Sequence, residues 1–330
     1  MQSVLAPLIG PKECVPPNLQ GRTAIVTGGA LGIGYEVSRA FAKAGARTIM
    51  INRKEEQGDE AIAKIKAEVP EAIIEWVHCD LGDLKETKQV FEKLAKEEDR
   101  LDLLILSAGI NSDQPGLDAD GIDRHFGVNW LGHFYAINLL YPLIRKTSKL
   151  PGAPAPRIVF ESSEMHRFAP KSTTFQSVAE IQENEKIGPI ELYGRTKLAM
   201  IQGTHGLLEK VIKPNSDNVY VLSVHPGAVN TDMQDAWQRA YPGLIGKIVE
   251  AVTLFGGRSP VQGSYSAIYA GTSEDIIKND WNGYYLSDPE TPGKETEQGS
   301  DPVIRDNLWR LSTQMIENKL GKDALESWSA

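Results

Sequence analysis

The stretch that decides the fold is Thr27-Gly28-Gly29-Ala30-Leu31-Gly32-Ile33-Gly34. It follows a short β-branched run, Arg22 to Thr27, and precedes a helical stretch that ends near Gly45. Glycines let the backbone turn tightly and approach a pyrophosphate, whose charge then meets the N–H groups and positive end of the following helix. This position between strand and helix favours a dinucleotide-binding turn over a glycine-rich turn without a ligand.

The chain after this turn alternates short β-branched runs with helical stretches, which is typical of a parallel sheet covered by helices. The sequence therefore predicts an α/β fold: a single doubly wound (Rossmann) domain with about seven parallel strands and helices on both faces. The expected strands cover residues 22–27, 46–51, 73–79, 101–106, 157–161, 219–224 and 284–286. Beyond the first helix, the expected helices cover residues 55–69, 84–97, 121–146, a stretch from about 192, and 303–318.

Three segments are expected along the chain. Residues 1–20 form an N-terminal extension, residues 21–288 form the catalytic domain, and residues 289–330 form a C-terminal extension that carries a helix. The longest apolar run, about 126–144, contains three polar residues, so it fits a buried helix better than a membrane span. We therefore expect no integral membrane segment.

The composition limits the classes of partner and compartment. The 330 residues are 41% apolar and carry a net charge of −9, which disfavours nucleic acid and anionic membranes as partners. The two cysteines, Cys14 and Cys79, lie far apart and form no metal-ligand spacing. We expect a reducing, cytoplasmic setting and no metal site.

The glycine spacing, T-G-x-x-x-G-x-G, differs from the commoner G-x-G-x-x-G and resembles that of the short-chain dehydrogenase/reductase family. The resemblance spans about residues 21–288, because further marks follow in the family's order. These marks are Asp80-Leu81, Ser107-Ala108-Gly109, Asn129, Ser163, Tyr193-x-x-x-Lys197, Pro226-Gly227 and Thr231. The segment 128–134, a long Ser163-to-Tyr193 connection and the C-terminal extension are most similar to the retinol-dehydrogenase-like and WW-domain-oxidoreductase-like branch.

The end of the second strand predicts the cofactor. NAD enzymes usually place an acid there for the ribose 2′-hydroxyl, but this chain has Asn52-Arg53-Lys54. Arg53 can pair with a 2′-phosphate, and Asn52 removes the repulsion of an acid, so we predict NADP(H). The alternative is a solvated basic turn. The predicted cofactor-binding residues are Gly28, Leu31, Gly32, Ile33, Gly34, Asn52, Arg53, Asp80, Leu81, Ser107, Ala108, Gly109, Asn129, Tyr193, Lys197, Pro226, Gly227, Val229 and Thr231.

The predicted catalytic pair is Tyr193 and Lys197, which lie four residues apart and hence on one face of a helix. A free tyrosine hydroxyl has a pKa of about 10, too high for efficient proton exchange near neutrality. A cation at about 4 Å contributes on the order of 4 kcal/mol, enough to lower that pKa by two to three units. The family resemblance implies that this face meets the nicotinamide and that Tyr193 donates its proton to a carbonyl oxygen during reduction.

Two further residues complete the predicted catalytic set. The family's substrate-polarising serine follows strand five, where Ser162 and Ser163 are neighbours, and the strand-end pattern favours Ser163. Asn129 resembles the family member that supports a water-linked proton path from the lysine; a helix-kinking or capping role is the alternative. His133, His166 and His225 share no ligand spacing, so ordinary packing is expected for them.

The expected function is an NADP(H)-dependent carbonyl reductase or alcohol dehydrogenase. Residues 164–190 and 232–257 carry apolar and aromatic side chains beside the expected site, which suggests a lid over a lipophilic aldehyde, ketone or alcohol. Core packing or an oligomer contact would explain them equally, and a homodimer stays open. The alternatives are a non-catalytic NADP(H)-binding redox sensor or scaffold and a sugar-nucleotide epimerase, which would prefer another glycine spacing.

Overall fold

A computed structural model describes residues 10–111, 115–182, 187–229 and 257–329 of the chain. One sheet runs through it in the order β3-β2-β1-β4-β5-β6-β7-β8. Its strands are β1 (Thr23–Thr27), β2 (Arg47–Asn52), β3 (Ile74–His78), β4 (Leu103–Leu106), β5 (Arg157–Glu161), β6 (Tyr220–Val224), β7 (Tyr285–Asp288) and β8 (Thr291–Pro292). The first seven pair in parallel and β8 pairs antiparallel with β7. The predicted doubly wound α/β sheet is confirmed, and β8 is added because two residues carry no periodicity to predict them.

Helices cover both faces of the sheet. The longer ones are α1 (Gly32–Lys43), α2 (Glu55–Glu68), α3 (Leu84–Glu97), α4 (Gly132–Ser148), α5 (Pro189–Leu207), α6 (Pro260–Thr272) and α7 (Pro302–Leu320). Short helices cover Arg124–Phe126, Glu164–Phe168, Val178–Gln182, Lys213–Asn215, Asp275–Lys278 and Glu297–Ser300. Apolar residues of α3, α4, α5 and α7 pack on one face, and those of α1 and α6 pack on the other. None of the described helices is long and apolar enough to cross a membrane.

The helix expected over 121–146 is not continuous. A short helix, Arg124–Phe126, leads into a π-helical turn, Gly127–Leu131, before α4 begins. The turn packs closely, since a Cβ on Gly132 would lie 2.3 Å from the Leu81 carbonyl oxygen. A π-turn inserts a residue into the helical register and often marks a functional site; here it contains Asn129.

The C-terminal residues 289–329 are built into the core. From α7, Leu308, Leu311 and Ile316 join the same cluster as α4 and α5. The Trp130 indole N–H donates to the Ser312 hydroxyl at 2.8 Å across a sequence distance of 182 residues. This helix therefore covers a face that would otherwise be apolar and exposed to solvent.

Residues 164–182 are held in place by the C-terminal residues. They form the two short helices Glu164–Phe168 and Val178–Gln182, in a segment to which the sequence assigned no helix or strand. The Gln298 amide donates to the carbonyls of Pro170, Lys171 and Thr173 at 3.0–3.3 Å. Most of the second expected lid, residues 232–256, lies outside the described residues.

Candidate active site

The glycine turn between β1 and α1 leaves room for a phosphate. Gly28 and Gly32 have φ values of +65° and +58°, and a Cβ on Gly34 would lie 2.3 Å from the Gly28 carbonyl oxygen. Leu31, half exposed, precedes α1 without a side-chain cap, and the first turn of α1 has no acidic residue. Uncapped N–H groups at a helix start bind anions, so this turn fits a pyrophosphate.

The end of β2 brings the predicted 2′-phosphate residues to the surface. The Arg53 guanidinium lies 3.3 Å from the Asp80 carboxylate, with the Arg53 side chain 56% exposed. Asn52 donates to the Lys54 carbonyl at 3.2 Å, while its own side-chain oxygen is buried without a hydrogen-bond partner in the described part of the chain. An exposed ion pair contributes little stability, so Arg53 is available to an incoming anion.

The ends of β3 and β4 lie beside the glycine turn. A Cβ on Gly28 would meet the Ala108 backbone at 2.9 Å, and the Ala108 N–H donates to the Thr27 hydroxyl at 3.1 Å. Leu81 is buried in the main core, so its main chain rather than its side chain is left for a cofactor. A Cβ on Gly109 would lie 3.5 Å from the Asn129 side-chain oxygen.

Tyr193 and Lys197 lie together on α5, as the spacing predicts. The Lys197 ammonium is 5.1 Å from the centroid of the Tyr193 ring and donates to the Glu161 main-chain carbonyl at 2.6 Å. Both side chains are buried, and α5 begins at Pro189, three residues earlier than expected. Proline suits the first turn of a helix because its missing N–H would be unpaired there anyway.

The pKa of Tyr193 moves opposite to the expected direction. Burial raises the pKa of the phenol above its ordinary value, and the nearby Glu161 carboxylate raises it further. Burial lowers the pKa of Lys197, while Glu161 raises it. Lys197 therefore does not lower the Tyr193 pKa as expected, because desolvation disfavours both charged forms.

The two serines after β5 differ in their hydrogen bonds. Ser162 is buried and donates its hydroxyl proton to the Lys197 main-chain carbonyl at 2.8 Å. The Ser163 hydroxyl accepts from the Met165 N–H at 3.1 Å, which leaves its own proton free to be donated. Of the two hydroxyls, that of Ser163 is thus able to donate to a substrate oxygen.

Asn129 joins three elements from within the π-turn. Its side-chain oxygen accepts from the Ile110 N–H at 2.7 Å, and its amide donates to the Ile110 carbonyl at 2.9 Å and to the Thr196 hydroxyl at 3.1 Å. The segment after β4 is thereby fixed to α5 at Thr196, which is three residues after Tyr193 and directly before Lys197. This role is one of positioning, and the proton path expected for Asn129 stays a prediction.

The buried histidines have packing partners. His133 donates from Nδ1 to the Asn129 carbonyl at 2.9 Å, and its Nε2 accepts from the Thr27 hydroxyl at 2.8 Å. His225 accepts from the Glu164 N–H at 3.3 Å. Burial lowers the pKa of His133 and of His225 to about 4, so both are neutral at pH 7. Within the described ranges, no group of three or more His, Cys, Asp or Glu side chains is arranged to hold a metal ion.

The end of β6 is shaped by Arg258, a residue that sequence reasoning missed. Gly227 has φ of +88°, and a Cβ there would meet the Arg258 side chain at 2.5 Å. The Arg258 guanidinium donates to the Pro226 carbonyl at 3.1 Å, and Val229 forms a parallel bridge with Arg258. Thr231 lies outside the described residues.

Glu161 is the second residue that sequence reasoning missed. Its carboxyl is 5% exposed at the end of β5 and accepts a short hydrogen bond from the Ser107 hydroxyl. The only available signal was a charged residue closing the apolar run Arg157–Glu161, which also fits a solvated strand end.

Comparison with known proteins agrees with this geometry. The sequence model of the short chain dehydrogenase family matches residues 22–170. Polyprenol dehydrogenase of Danio rerio is 31% identical, over 91% of this chain and 88% of its own. Retinol dehydrogenase 14 of Homo sapiens is 29% identical, over 91% and 88%. A 3-oxoacyl (acyl-carrier-protein) reductase structure from Agrobacterium tumefaciens C58 with NADP bound shares the fold, with a TM-score of 0.61, 19% identity, and 82% and 93% coverage.

Other relatives carry the words mitochondrial or chloroplastic in their names, so the comparisons do not confirm the expected cytoplasmic setting. The identity and mutual coverage of the polyprenol dehydrogenase, together with the glycine turn and the Tyr193 and Lys197 arrangement, decide the family. The chain therefore belongs to the short-chain dehydrogenase/reductase family of oxidoreductases.

Proposed function

We propose that this protein is an NADP(H)-dependent oxidoreductase that interconverts a lipophilic alcohol and its aldehyde or ketone. One connected arrangement carries the proposal. Lys197 lies beside Tyr193 and donates to the Glu161 main-chain carbonyl. The Glu161 carboxylate accepts from the Ser107 hydroxyl, which is 3.2 Å from where a Cβ on Gly34 would lie. The proton-exchanging group and the phosphate turn thus share one end of the sheet, where doubly wound folds bind their ligands.

The side chains of the site divide the chemistry between them. The bound nicotinamide supplies the hydride. Tyr193 gives its proton to the substrate oxygen in the reducing direction, and Lys197 holds a positive charge beside the phenol. Ser163 donates a hydrogen bond to the same oxygen and orients it.

NADP(H) is proposed as the cofactor on the basis of Arg53 and Asn52. An exposed guanidinium, with the neutral Asn52 in place of an acid at the end of β2, suits a 2′-phosphate better than a 2′-hydroxyl. Arg53→Ala is expected to raise KM for NADPH by about 10-fold or more, as loss of a charge-assisted pair implies, and to change KM for NADH little. Lys54→Ala is the matched control. Equal losses with both cofactors would contradict the assignment.

The lipophilic substrate class rests on two observations. Phe168, five residues after Ser163, is 56% exposed on the short helix Glu164–Phe168. Retinol and polyprenol, after which two relatives are named, are lipophilic alcohols. The test compares the rate of NADPH oxidation with long-chain and short-chain aldehydes; equal rates would overturn the proposed preference for a lipophilic substrate.

We also propose a reducing compartment such as the cytoplasm, since both Cys14 and Cys79 are free thiols.

Tyr193→Phe tests the enzymatic proposal against a non-catalytic redox sensor or scaffold. The hydroxyl is the only group removed, so turnover is expected to fall by a factor of about 100 or more while NADPH affinity stays within about 2-fold. Turnover is followed as oxidation of NADPH, and affinity is measured by cofactor fluorescence. Tight NADPH binding by the wild type without turnover of any carbonyl compound would favour the sensor.

A further inference from the structure

Glu161 is a buried carboxyl that the proposed reaction does not use. Its side chain ends β5 with 5% exposure, and one carboxylate oxygen accepts from the Ser107 hydroxyl. The other carboxylate oxygen is buried with no hydrogen-bond partner among the described residues. An ionised carboxyl taken out of water is costly unless a nearby charge compensates it, so the protonation of this group depends on the charges that lie near it.

The compensating charge comes from Lys197. Its ammonium donates to the main-chain carbonyl of Glu161 at 2.6 Å, which brings it into the same buried region as the Glu161 carboxyl. Burial raises the pKa of Glu161 and lowers that of Lys197, so each group alone would tend to be neutral. The charge of each group favours the charged form of the other, so the Glu161 carboxylate stabilises the Lys197 ammonium.

The other groups around this pocket do not supply a competing charge near neutral pH. The titratable and charged groups that face it are Tyr193 and Lys197 from α5, His133 from α4 and His225 after β6, with Glu164 and Arg258 acting on His225. Both histidines are neutral at pH 7, since burial lowers each pKa to about 4. Helix α6, which packs on the opposite face of β5, contains no charged side chain. Glu161 is therefore the described carboxyl that acts on Lys197.

We propose that Glu161 is a positioning residue that keeps the positive charge on Lys197 and so sets the pH range in which Tyr193 exchanges its proton. Ser107 completes the arrangement, because its hydroxyl fixes the carboxyl while lying next to the glycine turn. Ser107 therefore links the carboxyl that acts on Lys197 to the turn that would hold the cofactor phosphates. The proposal deepens the proposed function and rests on it for its effect on turnover.

The test compares wild type with Glu161→Gln, which keeps the shape and removes the charge. The titration of the Lys197 ε-carbon is followed by NMR in the cofactor-free protein, with the signal assigned through Lys197→Arg. Loss of the carboxylate is expected to move the titration midpoint to lower pH by about one unit or more. The alkaline limb of the kcat profile for carbonyl reduction should move in the same direction. Glu161→Asp, which restores the charge, should return both towards the wild-type positions.

The control is Ser223→Ala, which removes a buried hydroxyl without a described partner from the neighbouring strand β6. It should leave the midpoint and the profile where they are. Should Glu161→Gln not fold, Ser107→Ala takes its place: losing a hydrogen bond that lowers the Glu161 pKa makes the carboxyl easier to protonate, and the Lys197 midpoint should fall by a smaller amount.

The outcomes separate this inference from the proposed function. An unmoved Lys197 midpoint in Glu161→Gln overturns the inference, even if kcat falls equally at every pH, since that is the behaviour of a structural residue. A moved midpoint in a protein that turns over no carbonyl compound supports the coupling and refutes the enzymatic function.

Discussion

The two halves of the site are built in different ways. The cofactor half, around the turn between β1 and α1, is made of main-chain geometry: positive φ angles at Gly28 and Gly32 and an uncapped helix start. The half around α5 is made of side chains that meet from distant elements, such as Asn129 with Ile110 and Thr196. The backbone geometry of a turn is determined by consecutive residues, whereas side-chain contacts between distant elements depend on how the whole sheet folds.

This difference predicts which substitutions act locally and which act through the fold. A change in the cofactor half should affect cofactor affinity first. A change in the α5 half should affect stability and turnover together, because the same hydrogen bonds position the catalytic groups and join the elements.

The largest effect is expected for Gly34→Ala in the cofactor half. The added Cβ would lie 2.3 Å from the Gly28 carbonyl oxygen, and the turn must move to accept it. Overpacking of this kind costs about 3 kcal/mol, or on the order of 100-fold in NADPH affinity measured by fluorescence titration. In Gly271→Ala, where the added Cβ would lie 3.5 Å from Ile105, affinity should be unchanged. Comparable losses of NADPH affinity in both variants would contradict the idea that the geometry of the glycine turn determines cofactor binding.

The second prediction concerns the free energy of unfolding at low pH, which should depend equally on both halves of the site. His133 contacts β1 and His225 follows β6, and burial lowers each pKa to about 4. A histidine with a lowered folded pKa binds protons more readily when unfolded, so its stabilisation is complete above about pH 6.5 and is lost as the pH falls towards 4. Each should account for about 3 kcal/mol of that loss.

Urea unfolding between pH 7 and pH 4.5 measures this loss. His133→Asn should flatten the dependence, whereas replacing the half-exposed His78 should leave it steep. If the free energy of unfolding fell equally steeply with pH in wild type and His133→Asn, protonation of His133 would not be the cause of the acid sensitivity.

The sequence predicted the cofactor half more completely than the half around α5, because local patterns can be recognised in a sequence and contacts between distant residues cannot. The alternation of strands and helices, the glycine turn and the spacing of Tyr193 and Lys197 are local patterns, and the structure has each of them. The break in the long helix before α4 was missed because the contact beside it, the close approach of Gly132 to Leu81, spans 51 residues and leaves no local pattern. Glu161 was missed because its partner Ser107 is 54 residues away and nothing in either local segment marks the pair.

The third prediction tests whether stability and turnover are joined at Asn129. Asn129→Ala removes three hydrogen bonds and leaves the Ile110 N–H and carbonyl unpaired, at a cost of about 2–3 kcal/mol in the free energy of unfolding. The kcat should fall as well, because the segment after β4 loses its tie to α5. Asn138→Ala is matched: it also removes two bonds to a main chain, that of Glu326, yet it should lower stability without lowering kcat.

The smallest effect is expected where the C-terminal residues hold the segment after Ser163. Gln298→Ala removes the amide that donates to the carbonyls of Pro170, Lys171 and Thr173, contacts that are partly solvated and worth about 1 kcal/mol of stability together. Local opening should nevertheless increase, since the three carbonyls lose the donor that they share. Trypsin cleavage after Lys171 should therefore become faster, and KM for a lipophilic aldehyde should rise a few-fold while KM for NADPH stays constant. Gln314→Ala, an exposed glutamine on α7, is the matched control and should change neither rate. A rise in both KM values after Gln298→Ala would mean that the C-terminal residues couple the two halves of the site. If the segment after Ser163 acts on the substrate alone, loosening it should leave cofactor binding unchanged.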